Sequence, residues 1–322
     1  MIITITLNPA IDKTIELLDF RPGQVNRIQK ARQDIGGKGI NVSKALGSLD
    51  LTSTALGFLG GVYKEEFKEK LKQYNIKDFL TLIEDETRVN IKIVDLESKE
   101  VTDINDLGPT ISETEINNFL MKFENKVRKE DIVVISGSLP RGIDIDFYKI
   151  LISKAKASGA FIIFDADGSA LREGLKAEPH IIKPNIHELE GLAGMKLKSD
   201  YEIIKCCKEI IKTGVEKIIV SLGEKGSILV DKDKAYKVSG QKVEVKSTVG
   251  AGDSMVAAIA YGLNKGLDDK EILCLAQAMG VASVKREGTR APKSTHIKNQ
   301  LKIARKNIKE IKYDEFIKNG YE

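Results

Sequence analysis

Tryptophan is absent from the 322 residues, and cysteine, histidine and proline are scarce at 3, 3 and 7 copies. Cys206, Cys207 and Cys274 form an odd set in which two are neighbours in a helix-like run. That argues against a disulfide framework and for a reducing compartment. His180, His187 and His296 stand apart, with no Cys/His cluster at ligand spacing. A structural zinc site is thereby disfavoured, and any metal is expected to be held by oxygen. No apolar run reaches the ~18 residues that span a bilayer, and MIITITLNPAID carries neither a basic leader nor a cleavage site. The expectation is a cytoplasmic protein with no membrane partner. The balance of 51 Lys+Arg against 47 Asp+Glu leaves a net charge of +4. So small an excess over the whole chain makes nucleic acid an unexpected partner but leaves anionic small molecules open.

What is present is an ordinary globular composition, 42% apolar and 30% charged, with neither repeat nor low-complexity tract. At ~150 residues per domain, the length suits one large domain or two modest ones. Short apolar β-rich runs recur at Ile2–Thr6, 52–59, Ile132–Ser136, Phe161–Asp165, 180–183 and 218–222, separated mostly by helix-patterned stretches. Several of these strands are apolar throughout, as in Ile132-Val133-Val134-Ile135, which a parallel sheet covered on both faces requires. The fold class expected is α/β, a three-layer α/β/α sandwich. Helices are expected at roughly 39–49, 63–74, 112–128, 144–157, 187–193, 199–213, 251–265, 268–286 and 294–311. In the last of them Ile297, Leu301, Ala304, Ile308 and Ile311 share one face by 4-3-4-3 spacing. Two segments, 11–20 and 88–107, break this rhythm with alternating strand patterns and read as antiparallel ribbons. Interrupted by core-like segments, they predict a small β-sheet inserted as a lid, with lid segments near 11–35 and 87–108 of one domain spanning 1–322.

The stretch richest in chemistry is Ser247-Thr248-Val249-Gly250-Ala251-Gly252-Asp253-Ser254, followed by a run of small apolar residues that reads as a buried helix. The first N–H groups of a helix have no internal partner, so a glycine turn opening a helix makes a site for a phosphate or a developing anion. Asp253 stands at that site, where a carboxylate could take a proton from a nucleophilic hydroxyl. The same residues also suit a plain helix cap, and Gly-Ala-Gly-Asp alone does not choose. A second glycine cluster, Gly36-Gly37-Lys38-Gly39-Ile40-Asn41-Val42, opens another helix. Neither cluster is a Walker A loop, since no Gly-Lys-Ser/Thr occurs, nor a dinucleotide fingerprint, since Gly250-x-Gly252 leads to Met255. The nearest approach to a hydrolase elbow is Ser136-Gly137-Ser138-Leu139-Pro140, which is not one.

Together with Lys183-Pro184-Asn185-x-x-Glu188 and Ser221-Leu222-Gly223-x-x-Gly226, these two clusters resemble the ribokinase-like (PfkB) carbohydrate kinases, nearly end to end. Leu7-Asn8-Pro9-Ala10-Ile11-Asp12, Thr87-Arg88 and Ile135–Pro140 are similar to its phosphosugar branch, which holds 1-phosphofructokinase, tagatose-6-phosphate kinase and the minor 6-phosphofructokinase. The resemblance implies ATP and Mg²⁺, and often K⁺ held by backbone carbonyls near the anion hole. It implies Asp253 as catalytic base and Gly250, Ala251 and Gly252 as the anion hole. Lys183, Ser221, Gly223, Gly226 and Thr248, with Gly252 and Asn185, are implied on the nucleotide side. Asn185 and Glu188 would organise Mg²⁺ through water, although Asn-x-x-Glu also suits a helix capping box. For the sugar the resemblance points to Asp12, Gly37, Asn41 and Ser138, and for its phosphate to Lys38, Arg88 and Arg27. Cations of this kind suit a phosphorylated substrate, and a guanidinium grips phosphate bidentately.

Thr102-Asp103-Ile104-Asn105 is closer to the 1-phosphofructokinase pattern, which implies phosphorylation of fructose 1-phosphate to fructose 1,6-bisphosphate. Gly288-Thr289-Arg290 and Val25-Asn26-Arg27 resemble the sister branches, so tagatose-6-phosphate kinase and 6-phosphofructokinase remain alternatives. A sugar-phosphate sensor without chemistry and a nucleoside kinase rank below them. Whether the outer face of the lid pairs in a homodimer stays open.

Overall fold

The apolar runs become the middle of one large sheet because their side chains alternate between two cores. In the computed structural model, which describes residues 1–286 and 288–312, strands β1 (Ile2–Thr6), β4 (Ser53–Gly60), β9 (Ile132–Ser136), β10 (Phe161–Asp165), β11 (Ile181–Ile182) and β12 (Lys217–Ser221) run parallel. Ile3, Ile5, Val133, Ile135, Ile162 and Phe164 point into one core, and Ile2, Val134, Ile163 and Ile219 into the other. On the first face lie α3 (Glu113–Lys126), α4 (Phe147–Ala157), α5 (Gly168–Leu175), α6 (Ile186–Ala193) and α7 (Asp200–Ile211). On the second lie α1 (Lys38–Gly47), α8 (Ala251–Asn264), α9 (Asp269–Val284) and α10 (Ser294–Asn307). The three-layer α/β/α sandwich expected from the sequence is the architecture found.

The sheet continues on one side through β13 (Gly226–Val230), β14 (Ala235–Ser239) and β15 (Ile308–Glu310), all antiparallel, and on the other through β5 (Ile76–Asp78), with β6 (Thr81–Ile83) beside β4. A further helix, α2 (Lys64–Gln73), packs Phe67 and Leu71 into a third, smaller core. The expected helices form, with ends moved by a few residues. Two departures matter. Helix α5 and the β13–β14 hairpin were not anticipated. At the other end, α10 stops at Asn307, and Ile308 does not continue its face: Ile308–Glu310 pairs with β14. An unpaired sheet edge outcompeted the last turn of a helix whose 4-3 spacing the isoleucines happened to prolong.

A second sheet of four strands, ordered β3 (Ile28–Gly36), β2 (Ala10–Leu17), β7 (Arg88–Asp95), β8 (Val101–Ile104), stands over the carboxyl ends of the large one. β2–β3 and β7–β8 are antiparallel ribbons, as expected, but their joint is parallel, from Ala10↔Arg88 to Leu17↔Asp95. The reason is geometric. β2 follows β1 and β7 follows β6, and both parents run the same way on either side of β4. Among the described residues no helix is long and apolar enough to cross a membrane.

Candidate active site

Helix α8 starts without a side-chain cap. Gly250, at φ +81°, turns the chain in a left-handed conformation that suits glycine, and its carbonyl accepts from both the N–H and the hydroxyl of Ser254 at 2.9 Å. The open first turn therefore faces the cleft with its N–H groups and with Asp253, the acidic residue of that turn. Asp253 is buried, and Asn41 Nδ2 donates to its Oδ2 at 2.9 Å. Burial, reinforced by the nearby Asp165 carboxylate, lifts the Asp253 pKa from the ordinary 3.8 to about 6, against the pull of Asn41, Lys38 and Lys183. A carboxylate of that strength still ionises near neutrality and is a better proton acceptor than an exposed one.

Behind this turn lies a buried ion pair that ends two strands. Asp165, last residue of β10, sits 3.1 Å from Lys183 Nζ, which follows β11, and accepts from Ser136 Oγ at 3.2 Å. Burial would raise its pKa, but Lys183, Lys38 and these hydrogen bonds hold it below the usual carboxylate value. A Cβ at position 252 would come within 3.3 Å of Lys183 Nζ. Glycine there lets the ammonium approach the helix terminus.

The second glycine cluster is shaped by close approach. Gly37 has φ +102°, and a Cβ on it would lie 2.6 Å from Thr6 Cγ2. This brings Lys38 to the cavity, where it lies 3.9 Å from Asp167. Burial acts to lower its pKa but is outweighed by Asp165, Asp167, Asp253 and Glu188, so it stays charged. Asp12, on β2, accepts from Asn90 Nδ2 at 3.0 Å, and a Cβ at Gly36 would overlap its carboxylate. Arg88 donates to the carbonyls of Asn8 (2.9 Å) and Asp106 (3.1 Å), while its buried Nε has no protein partner.

On the far side, Asn185 caps α6 and forms a reciprocal box with Glu188: Asn185 N–H donates to Glu188 Oε2 at 2.8 Å and Glu188 N–H to Asn185 Oδ1 at 2.9 Å. The capping alternative is thus realised, and Glu188 keeps Oε1 outside that box. Ser221 ends β12 beside them, its N–H bonded to the Pro184 carbonyl at 3.0 Å. Gly223 and Gly226 follow at φ +60° and +105°. One cleft of about 1360 Å³ joins all these parts, lying between the small sheet and the carboxyl ends of the large one. That is where an open α/β sheet binds ligands.

Residues 5–296 match the profile of the pfkB family carbohydrate kinases. The chain belongs to the pfkB family of carbohydrate kinases. The kinase is 37% identical to a 1-phosphofructokinase of Haemophilus influenzae over 88% of its own length and 90% of the relative's. It is also 37% identical to a tagatose-6-phosphate kinase of Staphylococcus epidermidis over 90% and 94%. Among solved structures, phosphofructokinase-2 from Escherichia coli in complex with substrates and products superposes with a TM-score of 0.90 at 30% identity, covering 94% of this chain and 99% of that one.

Of the residues singled out in the sequence of this kinase, the cleft gathers Asp253, Gly250, Ala251, Gly252, Asp12, Gly37, Lys38, Asn41, Arg88, Lys183, Asn185, Glu188, Ser221, Gly223, Gly226 and Thr248. Two are not brought in. Arg27 is exposed on the segment joining β2 to β3, and Ser138 is exposed with its Oγ 3.5 Å from Asn8 Nδ2; neither lines the cleft. Asn41 does more than expected, since its amide holds Asp253 while its buried Oδ1 has no protein partner. Sequence reasoning missed Asp165 and Asn90. A charge closing the apolar run Phe161-Ile162-Ile163-Phe164 could have betrayed the first, and the two-residue step from Arg88 the second.

Proposed function

We propose that this kinase transfers the γ-phosphoryl group of ATP to the free primary hydroxyl of fructose 1-phosphate, giving fructose 1,6-bisphosphate. The single observation that carries the proposal is the placing of buried Asp253, in the open first turn of α8, in the same cleft as the cations Lys38 and Arg88. A phosphorylated sugar gripped by those cations would present its distant hydroxyl to Asp253, which takes the proton as the oxygen attacks the phosphoryl group in line. The N–H groups at the start of α8, contributed by Gly250, Ala251 and Gly252, receive the transferring group, for which the Ala251 N–H exchanges its 3.3 Å bond to the Thr248 carbonyl. Lys183 adds positive charge close to that turn, and Asp12 and Asn41 hold sugar hydroxyls through directional acceptors.

Ser221, Gly223, Gly226 and Thr248 form the nucleotide end. Glu188, with Asn185, would hold Mg²⁺ through water; among the described residues no three acidic, His or Cys side chains converge to cage a metal outright, which suits an ion reluctant to shed its hydration shell. Bound there, Mg²⁺ neutralises charge on the phosphates. Support for K⁺ comes from the potassium complex of the Escherichia coli relative. The 1-phosphofructokinase and tagatose-6-phosphate kinase relatives are equally similar, so the substrate is chosen on Asp103 and Asn105, both of which reach the cleft from the 102–105 motif.

The deciding experiment compares kcat/KM for fructose 1-phosphate, fructose 6-phosphate and tagatose 6-phosphate in a coupled ADP-release assay. Fructose 1-phosphate should lead; a lead for either other sugar moves the kinase to a sister activity, and no sugar-stimulated ADP release leaves a sensor.

A further inference from the structure

The parallel joint of the small sheet sets Asn90 directly opposite Asp12, and the side chains of both reach the cleft. Asn90 donates from Nδ2 to Asp12 Oδ1 at 3.0 Å. Its other end is tied as well: Asn90 Oδ1 accepts the Asp106 N–H at 3.3 Å, and the Asp106 carbonyl accepts from Arg88 at 3.1 Å. On the opposite flank the missing side chain of Gly36 makes room for the Asp12 carboxylate. Asp12 is therefore pinned by one oxygen and left with the other. The ladder between β2 and β7 already fixes the register through backbone pairs from Ala10 to Leu17, so the sheet does not need this side-chain bond to form.

We propose that Asn90 is a positioning residue, which turns Asp12 so that its second carboxylate oxygen accepts a sugar hydroxyl and which ties that orientation to Arg88 through Asp106. The inference rests on the sugar-binding role given to Asp12 above. The charged groups around Asp12 are Lys44 from α1, Arg88 from β7 and Asp34 from β3. Burial drives its pKa up, and the Asn90 hydrogen bond is the largest influence opposing that. Removing the donor should make Asp12 both less fixed and harder to ionise. Replacing it by a second carboxyl should create a pair that shares one proton, so that acid restores the missing donor.

The test measures the dissociation constant of the phosphosugar without ATP, by calorimetry, from about pH 5 to about pH 8, a span that brackets titration of such a carboxyl pair. The probe is whichever of the three sugars named above shows the highest kcat/KM. Each variant is expressed as a ratio to the unaltered kinase at the same pH, which cancels titrations they share. Asn90→Ala should weaken binding about tenfold, as loss of a hydrogen bond to a charged group does, while kcat at saturation changes far less. Asn90→Asp should bind worst at the alkaline end, and its ratio should fall toward unity in acid. A flat Asn90→Asp ratio would overturn the proposal even if Asn90→Ala did not fold, because a bond that only braced the sheet has no reason to answer to protons in this way. Asp12→Asn separates the two layers. If it weakens binding while both Asn90 variants bind normally, only the positioning role is wrong. If it leaves binding intact, the sugar role of Asp12 fails and the positioning role falls with it.

Discussion

Neutralising the proposed base should make the protein more stable as it makes it inactive. Asp253 is buried with its pKa raised from 3.8 to about 6. Each pKa unit is worth about 1.4 kcal/mol, so keeping the carboxylate ionised inside the fold costs about 3 kcal/mol at pH values above that range. The sign follows from the direction of the shift. A group whose folded pKa is raised adds stability below its unfolded pKa, and that stability is lost as pH rises through the folded value. Asp253→Asn keeps the shape and an acceptor for Asn41 while removing the charge. It should unfold at higher urea concentration than the unaltered kinase near pH 8, by up to about 3 kcal/mol, and the advantage should fade as pH drops toward about 4. The same variant should lose about 10²–10⁴ in kcat, the usual contribution of a general base. Urea melts at several pH values, paired with the ADP-release assay, check both halves. A variant no more stable than its parent at pH 8, or equally stabilised at pH 4, would refute the account of Asp253 as a strained, buried carboxylate.

In the unaltered kinase, kcat should fall as pH drops below about 6, because Asp253 must be ionised to accept a proton, and a pH–rate profile locates that limb. Arg88→Ala should raise KM for the phosphosugar at least tenfold with a smaller effect on kcat, measured by steady-state kinetics. Lys183→Met takes the paired cation from buried Asp165, leaving only Lys38 to offset its charge, and should cost up to about 3–5 kcal/mol at neutral pH, less in acid where Asp165 is protonated; urea melts at two pH values read the difference.

The layers of the fold were legible because continuous apolar strands and amphipathic helices carry their own periodicity. The Gly-Ala-Gly-Asp turn was legible because a glycine ahead of small apolar residues has few structural uses. What escaped depended on partners remote in sequence. Nothing in Arg88-Val89-Asn90 shows that Asp12 lies opposite, because that neighbour is set by the parallel pairing of two ribbons 78 residues apart. Asp165 looks like any polar strand end until Lys183 is found 3.1 Å away. Ile308 matched a helical face by spacing alone and was taken instead by the edge of β14. Arg27 and Ser138 sit in motif-like stretches, yet a motif does not say which way a loop turns, and the cleft leaves both outside.

Strand β15 has a consequence for handling the protein. Its three pairs, Tyr236↔Glu310 to Val238↔Ile308, cover a flank of the large sheet whose amides and carbonyls would otherwise be open to any passing chain. Among the described residues, truncation after Asn307 would remove none that lines the cleft. It would nevertheless bare a sticky border, and a shortened enzyme could keep its chemistry while clumping in the tube.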